Sequence, residues 1–169
     1  DDGQGVNLSL VTGGVSGNAA GDQYSSIEHV DGTAFDDQIT GNETANHLKG
    51  LAGNDVLIGG GGSDTLDGGD GDDILKNSGS GNHIYMGGAG SNTVSYELVT
   101  KGNGIRADLT KTSGNSNGEN GNEIFNLIQH LVGSKLNDRL WGDLEKNNLS
   151  GGDGNDFLDG REGVDSLAG

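Results

Sequence analysis

Aspartates recur at a fixed spacing along two stretches of the chain. Asp55, Asp64 and Asp73 follow one another at intervals of nine residues, and Asp156 and Asp165 repeat the same interval further on. Carboxylates are hard oxygen ligands of the kind that Ca²⁺ prefers. A spacing of one structural repeat would bring them into a row rather than into a catalytic cluster. The chemistry that this spacing indicates is the binding of cations.

The aspartates belong to a glycine-rich repeat of nine residues. Residues 59–67 read GGGGSDTLD and residues 68–76 read GGDGDDILK, so both match Gly-Gly-x-Gly-x-Asp-x-apolar-x. Residues 50–58, GLAGNDVLI, differ from this pattern only at Leu51. A flexible glycine-rich linker has no reason to keep such a period. We therefore predict that this segment is structured.

The period extends beyond these copies in weaker form. It runs from residue 32 to residue 95, with Met86 read as one extra residue, and it restarts over residues 133–168. The eighth position is aliphatic in every copy: Ile39, Leu48, Leu57, Leu66, Leu75, Ile84, Val94, Leu140, Leu149, Leu158 and Leu167. These side chains are the predicted core.

The composition explains why such a chain needs help to fold. It has 169 residues, 35 of them Gly, with no Cys, 30% hydrophobic residues and a formal net charge of −17. So few apolar residues and so much negative charge are typical of intrinsically disordered proteins. Without cysteine, no disulfide bond can stabilise the fold. An acidic balance argues against nucleic acid or an anionic membrane as partners, and for cations. Because the sequence has no transmembrane run, we expect no membrane insertion. Because the sequence starts and stops within the pattern, we expect it to be an excerpt of a longer protein.

The chain also contains a longer repeat. Residues 32–60 align without gaps on residues 133–161. Ahead of each block lies a segment of alternating apolar residues, GVNLSL at 5–10 and GIRADL at 104–109, as in half-buried strands. The predicted organisation is entry strands (1–31), a first block (32–95), connecting and entry strands (96–132) and a second block (133–169).

Three segments are less regular. Residues 13–22 and 111–122 are polar and glycine-rich, and we predict loops there. The apolar spacing of residues 122–132 is compatible with either a strand corner or a short helical turn.

A nonapeptide of this kind suits one half of a flattened coil. Its first six residues make a tight glycine turn, and the other three make a short strand with one side chain inward. Two nonapeptides complete a coil of about 18 residues, and stacked coils give two parallel sheets. Each Asp then lies about 5 Å from the Asp two repeats away, and these charges repel unless a cation lies between them. The sequence therefore predicts an all-β, right-handed parallel β-roll or β-helix stabilised by Ca²⁺.

At these residues the chain resembles a known family. GGGGSDTLD, GGDGDDILK and GGDGNDFLD (151–159) are similar to the RTX, or hemolysin-type, calcium-binding nonapeptide. The resemblance implies that calcium lies between turns two repeats apart. One turn would offer the carbonyls of positions one and three plus its Asp, and the other those of positions two and four plus its own Asp.

Carried over by position, the resemblance implies up to about seven Ca²⁺ ions. Four pairings join an aspartate to an asparagine and are expected to bind more weakly: Asn46 with Asp64, Asp64 with Asn82, Asp73 with Asn92, and Asn147 with Asp165. The implied metal ligands are Gly32, Ala34, Asp37, Asn46, Gly50, Ala52, Gly53, Asp55, Gly59, Gly60, Gly61, Gly62, Asp64, Gly68, Gly69, Asp70, Gly71, Asp73, Asn82, Asn92, Gly133, Lys135, Asp138, Asn147, Gly152, Gly154, Asp156, Gly163 and Asp165.

No catalytic constellation is present in the sequence, so we do not expect an enzyme in this segment. The resemblance instead implies a calcium-dependent folding module of a larger protein, secreted unfolded from a Gram-negative bacterium by type I secretion machinery. The alternative is a module that binds an extracellular polysaccharide similar to alginate. Trp141 and Tyr96 are candidates for exposed strand positions, where an aromatic ring could cap the roll or stack on a sugar.

Overall fold

The computed structural model describes residues 3–16, 19–110 and 121–169. These residues form a β-solenoid of about seven turns built from short strands. No helix among them is long and apolar enough to cross a membrane. The strands are β1 (Asn7–Ser9), β2 (Gly13–Ser16), β3 (His29–Asp31), β4 (Gln38–Thr40), β5 (His47–Ala52), β6 (Val56–Ile58), β7 (Thr65–Asp70), β8 (Ile74–Lys76), β9 (Ile84–Ala89), β10 (Thr93–Ser95), β11 (Arg106–Asp108), β12 (Ile124–Asn126), β13 (His130–Val132), β14 (Arg139–Trp141), β15 (Asn148–Ser150), β16 (Phe157–Asp159) and β17 (Ser166–Ala168).

The strands form one front sheet and two back sheets. The front sheet has the order β17-β15-β13-β10-β8-β6-β4-β1-β2, and it runs through both repeat blocks because β10 pairs with β13. The back sheets have the orders β12-β9-β7-β5-β3 and β11-β14-β16. Every strand pair is parallel except β1 with β2. The predicted all-β architecture of parallel sheets is confirmed.

The nine-residue period positions the core. Leu57 pairs with Leu75 across the front sheet, and Leu48 pairs with Leu66 across the back sheet. All four side chains are buried between the two sheets, because successive residues of a strand point to opposite faces and each of these four points inward. Burying each one contributes about 1.5–3 kcal/mol relative to leaving it exposed. The core thins at the C-terminal end, where Leu167 is 49% exposed.

The register differs from the prediction at one coil. β7 pairs with β9 so that Leu66 lies beside Tyr85, and Ile84 instead faces outward with 37% of its surface exposed. The extra residue of this coil therefore lies at residues 77–78, at the start of the turn, and not at Met86 after the strand. The side chain that points inward here is that of Tyr85, which is larger than the usual Leu or Ile. Asn77 Nδ2 donates a hydrogen bond to its hydroxyl at 2.9 Å.

The irregular segments resolve in different ways. Residues 13–16 form β2, an antiparallel partner of β1, so the loop predicted over residues 13–22 is wrong for that part. Residues 122–132 contain β12 and β13 joined by a strand corner, at which Leu127 has a φ of 55°. Most of the second predicted loop, residues 111–120, lies outside the described residues.

Candidate metal centre

The sixth-position aspartates form a ladder along one edge of the solenoid. The backbone N–H of Asp37 donates to Asp55 Oδ1 at 2.7 Å, and the N–H of Asp55 donates to Asp73 Oδ1 at 2.9 Å. All three side chains are buried, because each lies under the turn of the preceding coil. The second block repeats the contact between Asp138 and Asp156 at 2.9 Å. Coils of equal length thus align the carboxylates as the period predicts.

One oxygen of several ladder carboxylates has no hydrogen-bond partner. These buried atoms are Oδ2 of Asp55, Asp64, Asp73 and Asp156. A Cβ atom built at Gly50 would clash with Asp55 Oδ2, so the first-position glycine leaves room for the carboxylate. Such a buried anionic oxygen is costly unless a cation binds it. This donor set therefore fits Ca²⁺.

The pKa values of the ladder aspartates also favour a bound cation. Burial raises the pKa of Asp55 to about 6, helped by the neighbouring charges of Asp37 and Asp73 and opposed by the hydrogen bond from the Asp37 N–H. Burial also raises the pKa of Asp73 and of Asp138. Because the charged form is disfavoured at these positions, a bound cation would restore it.

The directions of the turn carbonyls decide which turns can share an ion. The N–H of Gly61 donates to the second-position carbonyl of Asn42 at 2.9 Å, so that carbonyl points toward the following turn. The N–H of Gly53 donates to the third-position carbonyl of Asp70 at 2.9 Å, so that carbonyl points toward the preceding turn. The first-position carbonyl of Gly50 likewise points toward the preceding turn, and the fourth-position carbonyl of Gly53 points toward the following turn.

The resemblance implied positions one and three on the earlier turn and two and four on the later one, whereas the carbonyl directions point the other way. An ion between two turns would face the carbonyls of positions two and four of the earlier turn, and those of positions one and three of the later turn. Alternating carbonyl directions are a property of parallel strands, which the turn residues continue. Between turns 50–55 and 68–73, the facing groups are Leu51, Gly53 and Asp55 from the earlier turn and Gly68, Asp70 and Asp73 from the later one.

The same alternation concerns two carbonyls of the second block. Those of Ser134 and Leu136 lie against Gly152 and Gly154 of the following turn, whereas the sequence reasoning chose Lys135. The sequence pattern does not show which turn carbonyls point toward the preceding turn and which toward the following one. The strand pairing decides this.

One predicted ligand falls at a different position. Since the coil after Asp64 carries one extra residue ahead of this position, the sixth position belongs to His83 and not to Asn82. The N–H of Asp64 donates to His83 Nδ1 at 3.3 Å, where an aspartate oxygen stands elsewhere. Asn82 lies at the fifth position, on the outside of the turn.

The fifth positions carry a second, external ladder that sequence reasoning missed. Asp36 Oδ1 accepts the N–H of Asn54 at 2.7 Å, Asn54 Oδ1 accepts the N–H of Asp72 at 2.8 Å, and Asp72 Oδ1 accepts the N–H of Ser91 at 2.8 Å. A signal was available, because this position is Asp, Asn or Ser in all of these turns. These side chains satisfy turn N–H groups and leave the inner ladder free for cations.

Between the two blocks, the inner ladder changes its chemistry. The N–H of Asn92 donates to Gln129 Oε1 at 2.8 Å, so a neutral amide takes the place of the carboxylate. On the other edge Glu123 follows His83, because β12 continues the register of β9. The junction therefore stacks its coils through different side chains.

The carboxylate of Glu123 is turned into the core. It accepts hydrogen bonds from the Tyr96 hydroxyl, from Asn77 Nδ2 at 2.8 Å and from the Tyr85 hydroxyl at 3.3 Å. Burial raises the pKa of Glu123 to about 7, although these hydrogen bonds oppose the shift. Tyr96, expected at an exposed strand position, is completely buried here.

Among the described ranges, no group of three or more His, Cys, Asp and Glu side chains comes together to hold a metal ion. A cation between these turns must therefore be bound by carboxylates together with backbone carbonyls. Ca²⁺, which takes six to eight oxygens in flexible geometry, suits this mixture.

Comparison with known families agrees with this donor set. The RTX calcium-binding nonapeptide repeat matches in four copies, over residues 40–75 and 132–168. These two stretches are similar to RTX repeats. No match was found among the curated proteins. RTX repeats imply a calcium-binding module, and an RTX β-roll is a structural rather than a catalytic fold.

Proposed function

We propose that this RTX module folds when it binds calcium outside the cell, and that it is an accessory part of a larger secreted protein. The observation that carries the proposal is the buried oxygen without a hydrogen-bond partner on each of Asp55 and Asp73. Their ladder is strained by like charge as long as nothing neutralises it. Calcium, when bound, supplies that charge.

The energetic balance of the chain makes folding depend on such binding. The core consists largely of one inward side chain for each short strand, and the net charge of −17 opposes compaction. Since a ligand that binds only the folded state stabilises it in proportion to the logarithm of its concentration, millimolar external calcium favours folding. At the far lower calcium level of a cytosol the chain stays unfolded, which suits export through type I secretion machinery of a Gram-negative cell.

A calcium titration tests the proposal. In chelator the far-ultraviolet circular dichroism spectrum should be that of a disordered chain, and millimolar calcium should produce a β spectrum in a steep transition. Steepness is expected because each coil docks on its neighbour. Magnesium is the control, and it should act poorly because it requires a small octahedral site. A β spectrum in chelator would contradict the proposal.

The polysaccharide alternative lacks a comparable observation. Stacking on a sugar needs a free aromatic face, and Trp141 already has the Arg106 guanidinium 5.1 Å from its ring centroid and the Phe157 ring at 5.7 Å. Tyr96 is buried. We therefore keep calcium-dependent folding as the single proposed function.

A further inference from the structure

Arg161, a turn residue, donates hydrogen bonds from its guanidinium to two other coils of the solenoid. It stands at the second position of the turn 160–165, with a φ of 66°. Its guanidinium donates to both carboxylate oxygens of Asp108, at 2.7 and 2.9 Å, and to Thr110 Oγ1 at 3.2 Å. It also donates to the carbonyl of Gly142. The side chain thus spans from the last coil, across the turn that begins at Gly142, to the coil that contains β11.

The four acceptor oxygens resemble the ligands of a calcium site. Asp108 supplies a carboxylate, Thr110 a hydroxyl, and Gly142 a first-position carbonyl. In the other turns, the first-position carbonyl points back toward the preceding coil, where an ion would lie between the two. Asp108 is in place to face it, because β11 pairs with β14 so that Asp108 lies beside Trp141, the residue before Gly142. We call these three oxygen-bearing residues the Arg161 cage.

The cage is charged, and its carboxylate is buried although Thr110 and Arg161 are exposed. Asp108 is 4% exposed. Burial by itself would raise the pKa of Asp108, but the hydrogen bonds from Arg161 and Thr110 outweigh it and hold the pKa well below its usual range. A guanidinium that binds a carboxylate in this two-pronged manner is among the stronger ion pairs of proteins.

The coil of β11 also explains why a different cation is needed here. After Asp108 the sequence continues as Leu109 and Thr110, without the Gly-Gly-x-Gly-x-Asp turn that elsewhere supplies two carbonyls and an aspartate. Within its described residues, this coil offers a calcium ion fewer ligands than such a turn, namely Asp108 and Thr110. A tethered side chain needs fewer of them, because the chain itself holds the charge in place.

We propose that the Arg161 guanidinium is a built-in cation, which occupies the place of a calcium ion between the coil of β11 and the turn at Gly142. The proposal rests on the proposed function, since it assumes that the other turns are held by calcium. Once the chain is folded, this coil contact needs no calcium ion of its own. Removing the guanidinium uncovers a cage that accepts a hard metal ion.

Terbium luminescence tests this inference at the position itself. Tb³⁺ replaces Ca²⁺ in oxygen sites and emits when a nearby tryptophan transfers excitation to it. Trp141 is the only tryptophan and is adjacent to Gly142 in the chain. Excited at the red edge of tryptophan absorption, Arg161→Gly should show a tryptophan-sensitised signal well above that of the unsubstituted protein. The double variant Arg161→Gly with Asp108→Asn should lose the added signal.

Two further variants separate the cage from general charge effects. Lys146→Gln removes one positive charge from the turn at Gly142 without touching the cage, and it should leave the signal unchanged. Asp108→Asn alone should leave the calcium stoichiometry of the protein unchanged, as measured by equilibrium dialysis. A stoichiometry that falls by one would overturn the inference, because Asp108 would then be a calcium ligand. Since this variant keeps Arg161, it gives an answer even if Arg161→Gly does not fold.

The outcomes distinguish this inference from the proposed function. If the unsubstituted protein does not fold on calcium addition, the proposed function fails whatever Arg161 does. If it folds and Arg161→Gly gains no tryptophan-sensitised signal, only the built-in cation is refuted. If the tryptophan-sensitised signal rises equally in Arg161→Gly and in Lys146→Gln, the change in net charge accounts for the terbium binding, and the cage is not a site.

Discussion

Asp55 and Glu123 hold corresponding positions in coils of the same solenoid, yet their carboxylates face different partners. Asp55 lies in a row with Asp37 and Asp73 along one edge and has an oxygen without a hydrogen-bond partner. Glu123, in the junction between the blocks, instead accepts hydrogen bonds from the hydroxyls of two buried tyrosines. The two carboxylates thus occupy equivalent positions of the coil, but their negative charges are compensated in different ways.

The difference suggests that the need for a cation is greatest where carboxylates are stacked on one another. In the first block, three successive aspartates leave no neutral partner between them. In the junction, Gln129 replaces the carboxylate at one edge, and Glu123 at the other is surrounded by hydrogen-bond donors. We therefore expect substitutions in the two regions to affect stability in different ways, one through bound ions and the other without them.

The largest effect is expected for Asp55→Ala. Asp55 faces the turns of both Asp37 and Asp73, so its loss should impair two ion sites, at a cost on the order of 3–5 kcal/mol. The calcium midpoint of folding should rise severalfold or folding of the first block should fail. In addition, the slope of unfolding free energy against the logarithm of calcium concentration should fall, because this slope counts the ions bound on folding.

Asp31→Ala is the matched control for charge. Asp31 is exposed at the end of β3 and outside the inner ladder, so its removal should change neither the midpoint nor the slope appreciably. Equal titrations for Asp31→Ala and Asp55→Ala would mean that calcium responds to diffuse negative charge, and the ladder of shared ligands would be refuted.

Tyr96→Phe should have the next largest effect. It removes a buried hydroxyl that donates to Glu123, and the carboxylate left without this donor costs about 1–3 kcal/mol. Chemical denaturation at several calcium concentrations should show a constant loss of stability and an unchanged calcium slope. A reduced slope would show that the junction also binds an ion.

A smaller effect concerns pH at saturating calcium. The pKa of Glu123 in the folded protein is about 7, above its ordinary value of 4.5, so folding favours the protonated form. This group therefore contributes stability that is complete below about pH 4.5 and is lost as pH rises through about 7. Thermal unfolding between about pH 6 and pH 8 should show that decline, and Glu123→Gln should flatten it. If both proteins decline equally, another group is responsible.

The smallest effect is expected for Leu51→Gly. Leu51 has a φ of 83°, a conformation that costs a residue with a side chain about 1 kcal/mol, and it is 46% exposed. Glycine at this consensus position should raise stability by up to about 1 kcal/mol without changing the calcium slope. A loss of stability would indicate that the Leu51 side chain packs against a neighbouring coil.

The period predicted the regular coils well and the interrupted ones poorly. Leu48, Leu57, Leu66 and Leu75 lie in the core as expected, because an inward residue must recur once per nonapeptide. Ile84 does not, since an alternative inward residue, Tyr85, stands next to it and a single inserted residue can be placed on either side of a strand. Periodicity cannot place an insertion. The pairing of β7 with β9 does.

The candidate ligands divide in the same way. The sequence alone predicted that the sixth-position aspartates form a row and that turn carbonyls complete the site, because both follow from the length of the repeat. Strand pairing decided which carbonyls face which turn, and so brought in Ser134 and Leu136. It also placed His83 beside Asp64.

The sequence by itself determined the coil: its length, its inward leucines and its stacked carboxylates are local consequences of a nine-residue period. Only the tertiary structure decided how the coils are joined where that period fails. Glu123 meets Tyr96 across 27 residues, and Arg161 meets Asp108 across 53. Neither contact repeats, so no pattern in the sequence signals it. Both arise because the front sheet continues from β10 to β13 and brings the two blocks into one stack.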